Sequence, residues 1–317
     1  MFRVKDISSG RARQSKTNLT LRPTCFNLSA GICFALLCAV VASVHADVIT
    51  VTNTDDSGPG SLREALADAN NGDTINFAVT GTIGLTTGEL LVAKSIAISG
   101  PGVENLAVNG NANSTVFHIV PGETVTISGL TITNGSAGSG GGIHNDHAAL
   151  TLNSCTISGN LGGGMYNDAQ YAEGLPLSAL LEVNNCLITD NSGNGIYNNA
   201  EGGGTATLQI TDSILSNNSG EAIHSHGFLC LFCGHGTATV QITNSSITSN
   251  GGGIYTDTGE LGPTTLSLAN STLSGNTGAA VHVSVEATAA IGNSTISGNS
   301  GGGVYTDLGA QQVDQEL

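Results

Sequence analysis

Two sets of side chains in this 317-residue chain carry ligand or proton chemistry at repeating positions. The segments "GGGIHND" (140–146), "GGGMYND" (162–168), "GGGIYTD" (251–257) and "GGGVYTD" (301–307) each place a Tyr or His two residues before an acid. Aligned on this motif, the ring position reads His144, Tyr166, Tyr197, His224, Tyr255, His282 and Tyr305. Two residues on come Asp146, Asp168, Asn199, His226, Asp257, Ser284 and Asp307. In an extended strand these two positions share one face, and the aliphatic residue before the ring points to the other. A row of rings beside a row of carboxylates suits sugars, which offer CH faces for stacking and hydroxyls for hydrogen bonding. Tyr166, Tyr197, His224, Tyr255 and Asp257 are the candidate ligand contacts. Catalysis is a second reading. Asp146 and Asp168 fall in successive registers, where a separation of about 5 Å would match a retaining glycosidase pair. His144 and Tyr166 would then be base and acid of a polysaccharide lyase. The third reading is that stacked rings only hold neighbouring strands together.

The second set is local. "HSHGFLCLFCGHG" (224–236) brings His224, His226, Cys230, Cys233 and His235 within thirteen residues, enough donors for a tetrahedral zinc site. A Cys230–Cys233 disulfide competes with that reading, as does an apolar loop presenting Phe228 and Phe232 to a partner.

The elements that must position these residues follow from the spacing. A second motif alternates with the first: "SCTISGN", "NCLITDN", "DSILSNN", "NSSITSN", "NSTLSGN" and "NSTISGN", ending at Asn160, Asn191, Asn218, Asn250, Asn276 and Asn299. Short alternating strands such as "LTL" at 150 and "LQI" at 208 lie between the two. Each register thus holds three short strands joined by Gly/Asn turns, and no such unit closes a core alone. The pattern predicts an all-β, right-handed parallel β-helix, one coil per register, with Ile and Leu filling the lumen. The terminal Asn residues should bond their copies along the stack, and glycines should supply positive φ in the turns. A leucine-rich horseshoe is the rival, but its helical periodicity is missing. About nine or ten coils at ~4.8 Å per strand give a rod roughly 45 Å long. The forty-five glycines and the lack of tryptophan agree with many tight turns. The register is ambiguous around Phe117 and His118. One helix is expected, with Ser61 as N-cap, Glu64 completing a capping box, and Leu62, Ala65, Leu66 and Ala69 on one face, covering the first coil.

Composition bounds the partners. Six of the eight basic residues precede residue 25, an apolar run follows, and Val44-His45-Ala46 resembles a cleavage site. Residues 1–46 read as a signal peptide, 47–90 as an N-terminal cap, 91–307 as the β-helix and 308–317 as a tail. Without the leader, Arg63 and Lys94 face 23 acids, a formal charge near −21. Nucleic acid has nothing to bind to there, and acidic polymers would need calcium as a bridge. No membrane-spanning segment is expected in the mature chain, and export is. Cys155 and Cys186 occupy matching inward positions and should pack as thiols. Extra residues enter the coils after the ring strand, at 169, 200, 227 and 258, on the face where repeat proteins often place function.

"VTNTDDSGPGSLREALADANNGDTINF" (51–77) resembles the amino-terminal segment of secreted bacterial β-helix proteins with an SLREA-type signature. The alternating Gly-Gly-x-Ile and Ile-Ser-x-Asn motifs are similar to the repeats of polymorphic outer-membrane proteins. The resemblance implies a secreted or surface-exposed chain, often adhesive. On this footing the chain is expected to bind glycans or surfaces at the cell exterior, with a polysaccharide lyase or glycoside hydrolase as the alternative. The short polar end "LGAQQVDQEL" leaves end-to-end or C-terminal association open.

Overall fold

The computed structural model describes residues 46–170, 173, 178–230, 234–258, 262–307 and 312–316, with backbone alone at 229, 230, 234 and 312–316. Three parallel sheets run along one stack. The first sheet has eleven strands, from Val48–Val51 and Thr74–Phe77 through Ala149–Asn153 and Thr205–Thr211 to Gln312–Glu316. The second has nine short strands, among them Gly81–Gly84, Thr156–Ser158, Leu187–Thr189 and Thr295–Ser297. The third runs from Leu90–Val92 through Ile143–Asp146, Met165–Asp168, Ile196–Glu201, Glu221–Cys230 and Gly252–Asp257 to Val281–Val283 and Val304–Thr306. The chain visits first, second and third sheets in turn and then returns to the first one coil higher. This is a parallel β-helix of about nine turns.

The register is the one that the repeats dictate. Met165 pairs with Ile196, Ile196 with Ile223 and Ile223 with Ile254, so equal letters lie over one another. Ile, Leu and Val from all three sheets form one continuous core along the rod. In the last coil Ile296 and Val304 are only partly buried against it.

Single residues in the left-handed region turn the corners. Ser154, Asn185, Asp212, Asn244, Asn270 and Asn293, all at φ between 48° and 52°, follow the first-sheet strands. Asn and Asp tolerate this conformation better than other side-chain-bearing residues. Inside the first corner the backbone N–H of each residue donates to the side chain above it: Cys155 to Cys186 Sγ, Cys186 to Ser213 Oγ, and Ser213 to Ser245 Oγ. Cys155 and Cys186 are free, buried thiols. The second corner carries the expected asparagine ladder. Asn160, Asn191, Asn218, Asn250 and Asn276 each donate through Nδ2 to Oδ1 of the next, ending on Asn299, at 2.9–3.0 Å.

The glycine triplets have two separate causes. Gly162 and Gly163 do take positive φ, at 81° and 106°. The third glycine does not. At Gly142, Gly164 and Gly195 a Cβ would lie 2.6 Å from a carbonyl oxygen of the next coil. There the need is for close approach of two backbones rather than for an unusual torsion.

The expected helix forms over Leu62–Asp68, with Ser61 Oγ accepting from Glu64 N–H and Leu62, Ala65 and Leu66 buried in the common core. Ahead of it Asp56 ties the loop down. It accepts from Arg63 Nη2 at 2.8 Å and from the backbone and hydroxyls of Thr86 and Thr87. Burial alone would raise the Asp56 carboxyl, but these donors hold it well below the usual carboxylate range. Among the described residues no helix is long and apolar enough to cross a membrane.

Candidate functional site

The third sheet places every ring of the motif on one outer column. Parallel pairing sets His118 beside His144, then Tyr166, Tyr197, His224, Tyr255, His282 and Tyr305. Adjacent ring centroids are 4.6–5.4 Å apart over the whole column, close to the sheet's own strand spacing. His118 extends the row by one coil beyond the sequence reading. It lacks the glycine triplet that marks the other registers, and only the alternation Phe117-His118-Ile119 betrays it.

The column is not uniform. From His118 to Tyr197 successive planes differ by 12–22°, so each ring faces its neighbours. Those faces are spent on one another, and only edges and polar tips remain for a ligand. From Tyr197 onward the planes turn by 56°, 47°, 35° and 84°. Tyr305 at the end is 53% exposed.

Beside the rings lies the polar column, bonded diagonally from one coil to the next. His118 Nε2 is 3.4 Å from Asp146 Oδ2, His144 Nε2 3.4 Å from Asp168 Oδ2, and His282 Nε2 3.3 Å from Asp307 Oδ1. Asn199 Nδ2 donates to Tyr166 Oη at 2.8 Å. His118 Nδ1 also meets Glu89 at 3.0 Å, and Asp146 makes a short contact with buried His147, whose other ring nitrogen meets Gln170 O. His147 went unnoticed in the sequence because it occurs in one coil only.

These contacts and burial bias several of the groups toward one protonation state. The Asp146 hydrogen bond raises the His118 imidazole above its ordinary pKa, with Glu89 adding to it and burial opposing. Burial would raise the Asp146 carboxyl, but hydrogen bonds with His118 and His147 outweigh it and the pKa falls. Burial pushes the Tyr166 hydroxyl upward and Tyr197 to about 12. Burial lowers His224, although Glu221 and Asp257 pull the other way.

This chemistry bears on the catalytic reading. Asp146 and Asp168 do lie close, each with an oxygen within 4.8 Å of the other and of His144. A general acid needs a raised pKa at one carboxyl, and that of Asp146 is lowered. Tyr166 is a poor proton donor with its pKa pushed up and its oxygen accepting from Asn199. Of the two basic residues beyond position 46, Arg63 is committed to Asp56 and to the carbonyls of Gly88 and Glu89. Lys94 is exposed on the segment leading into Ala97–Ser99 of the first sheet. Neither basic group stands on the ring column to neutralise a uronate carboxylate.

His224, His226 and Asp257 converge. His226 Nδ1 is 3.2 Å and His224 Nε2 4.0 Å from Asp257 Oδ2. Of the other zinc or disulfide candidates, Cys233 and the side chain of Cys230 lie outside the described residues. His235 is placed by a short antiparallel pairing of Gly234–His235 with Leu229 and Cys230. A depression of about 200 Å³ adjoins the tilted rings, bounded by Glu221, Tyr255, His282 and the backbone of Gly251, Gly252 and Gly253.

Residues 96–229 match the family described as right handed beta helix region. In fold the chain is similar to pectate lyase Pel9A, at 15% identity and TM-score 0.56, covering 86% of this chain and 79% of the lyase. It is also similar to a mutant of the PL6 family alginate lyase AlyGC, at 13% identity and TM-score 0.51, covering 86% of this chain and 40% of that one. The A-module of the Azotobacter vinelandii mannuronan C-5 epimerase AlgE4 aligns at 13% identity and TM-score 0.48, over 86% and 87% of the two chains. No curated protein matches the sequence. Identities this low speak to the fold alone.

Proposed function

We propose that this chain is an exported β-helix protein that binds glycans at or beyond the cell surface, along the later part of the ring column, without cleaving them. The carrying observation is the depression between Tyr255, His282 and Glu221, beside rings turned out of the stack. There a sugar finds the rings of Tyr255 and His282, the Glu221 carboxylate, and a floor of glycines with no side chains to block it. The strip keeps Tyr255 and Asp257 of the candidate contacts and adds His282, Tyr305 and Asp307, whereas Tyr166 and Tyr197 are mainly structural. The acid excess favours neutral glycans, and acidic ones would need calcium between the like charges. The basic and apolar leader supports export. The fold shared with lyases that act on pectate and alginate supports a carbohydrate ligand.

The test is retention of purified protein on immobilised neutral and acidic polysaccharides, with and without calcium. Neutral glycans should retain it, Tyr255→Ala and Tyr305→Ala should weaken retention at least about fivefold, and the glycan should come back intact. New reducing ends or unsaturated-product absorbance would instead establish the lyase or hydrolase reading.

A further inference from the structure

The group His224, His226 and Asp257 has a feature that its counterpart lower in the stack lacks. Asn199 in the polar column gives way to His226 in the next coil, so two imidazoles and one carboxylate meet across adjacent strands. All three offer a ligand atom within 4.8 Å of the others. Among the described residues, His224 Nε2 is one of three buried side-chain polar atoms with no hydrogen-bond partner. A buried polar atom left unpaired is destabilising, and such an atom calls for an explanation, a bound ion among them. The ring that carries it is tilted 56° and 47° against Tyr197 and Tyr255, breaking the stack, and stands edge-on to His226.

The lower group of His144, Asp146 and Asp168 is equally close but already satisfied. His144 Nε2 meets Asp168, Asp168 Oδ1 accepts from Gln170 N–H, and Asp146 is held by His118 and His147. Only the upper group keeps a nitrogen in need of a partner.

We propose that His224, His226 and Asp257 bind one divalent cation of the zinc class. Ligand atoms on a tetrahedral zinc at about 2.0–2.1 Å lie roughly 3.3 Å apart. The His226–Asp257 pair already stands at 3.2 Å, and the His224–Asp257 pair needs to close from 4.0 Å. Two imidazoles with one carboxylate select zinc, copper or nickel over calcium or magnesium, which prefer all-oxygen sets. The three side chains are 22%, 16% and 30% exposed, so one side of the ion would remain open to water. The site needs none of the cysteines of the following loop. Nor does it depend on glycan binding, since the cation would sit there with or without a sugar.

The experiment uses the purified chain stripped by a chelator and titrated with zinc against a chromophoric competitor. One zinc per chain is expected, with calcium at equal concentration failing to displace it. His224→Ala and Asp257→Asn should each weaken binding at least about tenfold. His144→Ala and the double variant Cys230→Ser/Cys233→Ser should bind as the parent does. Asp257→Asn preserves shape, and its far-ultraviolet circular dichroism guards against a folding failure. Absence of zinc binding, indifference to Asp257→Asn in a folded protein, or loss of binding in the cysteine variant would each overturn the assignment.

Discussion

The lower ring column, His118 to Tyr197, and the upper one, His224 to Tyr305, come from the same motif and do different things. Below, rings lie within 12–22° of parallel, and each histidine is matched to a carboxylate one coil higher. The inward column beneath them is asparagine: Asn145 donates to Asn167, and Asn167 to Asn198, both at 2.7 Å. Above, that column becomes Ser225 and Thr256, the outward column becomes His226, and the rings tilt. Faithful repetition saturates its own side chains, leaving little for a ligand. Chemistry becomes available where one register departs from the pattern.

The sharpest way to break this contrast is to attack the two inward columns. Asn167 Nδ2 meets Asn198 Oδ1 and the carbonyl of Thr207, while its Oδ1 accepts from Asn145. Asn167→Ala should therefore orphan several buried groups and cost about 2–4 kcal/mol. Thr256 Oγ1 donates to His282 O at 3.2 Å, and Thr256→Val should cost about 1 kcal/mol. Stacked repeats open locally, so amide exchange coil by coil is the fitting readout. Equal losses at the two positions would remove the distinction.

Much of this arrangement was legible in the sequence. The stacking of Met165 on Ile196, the second-corner ladder from Asn160 to Asn299 and the alignment of the outer rings all follow from spacing alone. A repeat fixes the register once the strands are parallel. The inward asparagines could also have been found, since "IHN", "MYN" and "IYN" set Asn directly after the ring in three successive registers. They pass as exposed residues unless the alternation is followed one position further. The first of them has a cost that only packing reveals: Asn145 sits over Ile119, and its Oδ1 has no partner. Ring tilt depends on side-chain torsions that repeat spacing does not encode. The pairing of His224 and His226 with Asp257 was hidden by an attractive neighbour, the Cys-x-x-Cys of the following loop, which drew the metal reading along the chain rather than across it.

A smaller effect sharpens the contrast at the rings themselves. Tyr166 is half-buried between two near-parallel rings and accepts a hydrogen bond from Asn199. Tyr166→Phe should cost about 1 kcal/mol of stability and leave glycan retention unchanged. Tyr305 stands edge-on to His282 at the exposed end. Tyr305→Ala should cost about 0.5 kcal/mol and weaken retention. Thermal denaturation and glycan retention measured on both variants test the division. If Tyr166→Phe were the one to impair binding, the lower column would be part of the ligand strip.

The smallest effect is a pH response of opposite sign in the two halves. The hydrogen bond to Asp146 raises His118, so its protonated form is favoured in the folded chain. That stabilisation is full below the unfolded histidine pKa near 6.5 and fades as pH rises through the higher folded value. His224 is lowered, chiefly by burial. On acidification below about pH 6.5 the unfolded chain takes up that proton first, so stability falls until the folded pKa is passed. Proton titration of the imidazole Cε1–H signals in chelator-treated protein should place the His118 midpoint above the ordinary value and that of His224 below it. His118→Gln should remove its share of the stability loss that sets in as pH rises above about 6.5. Midpoints in the reverse order would mean that the lower histidines are not held by their carboxylates, and the account of a saturated lower column would fail with them.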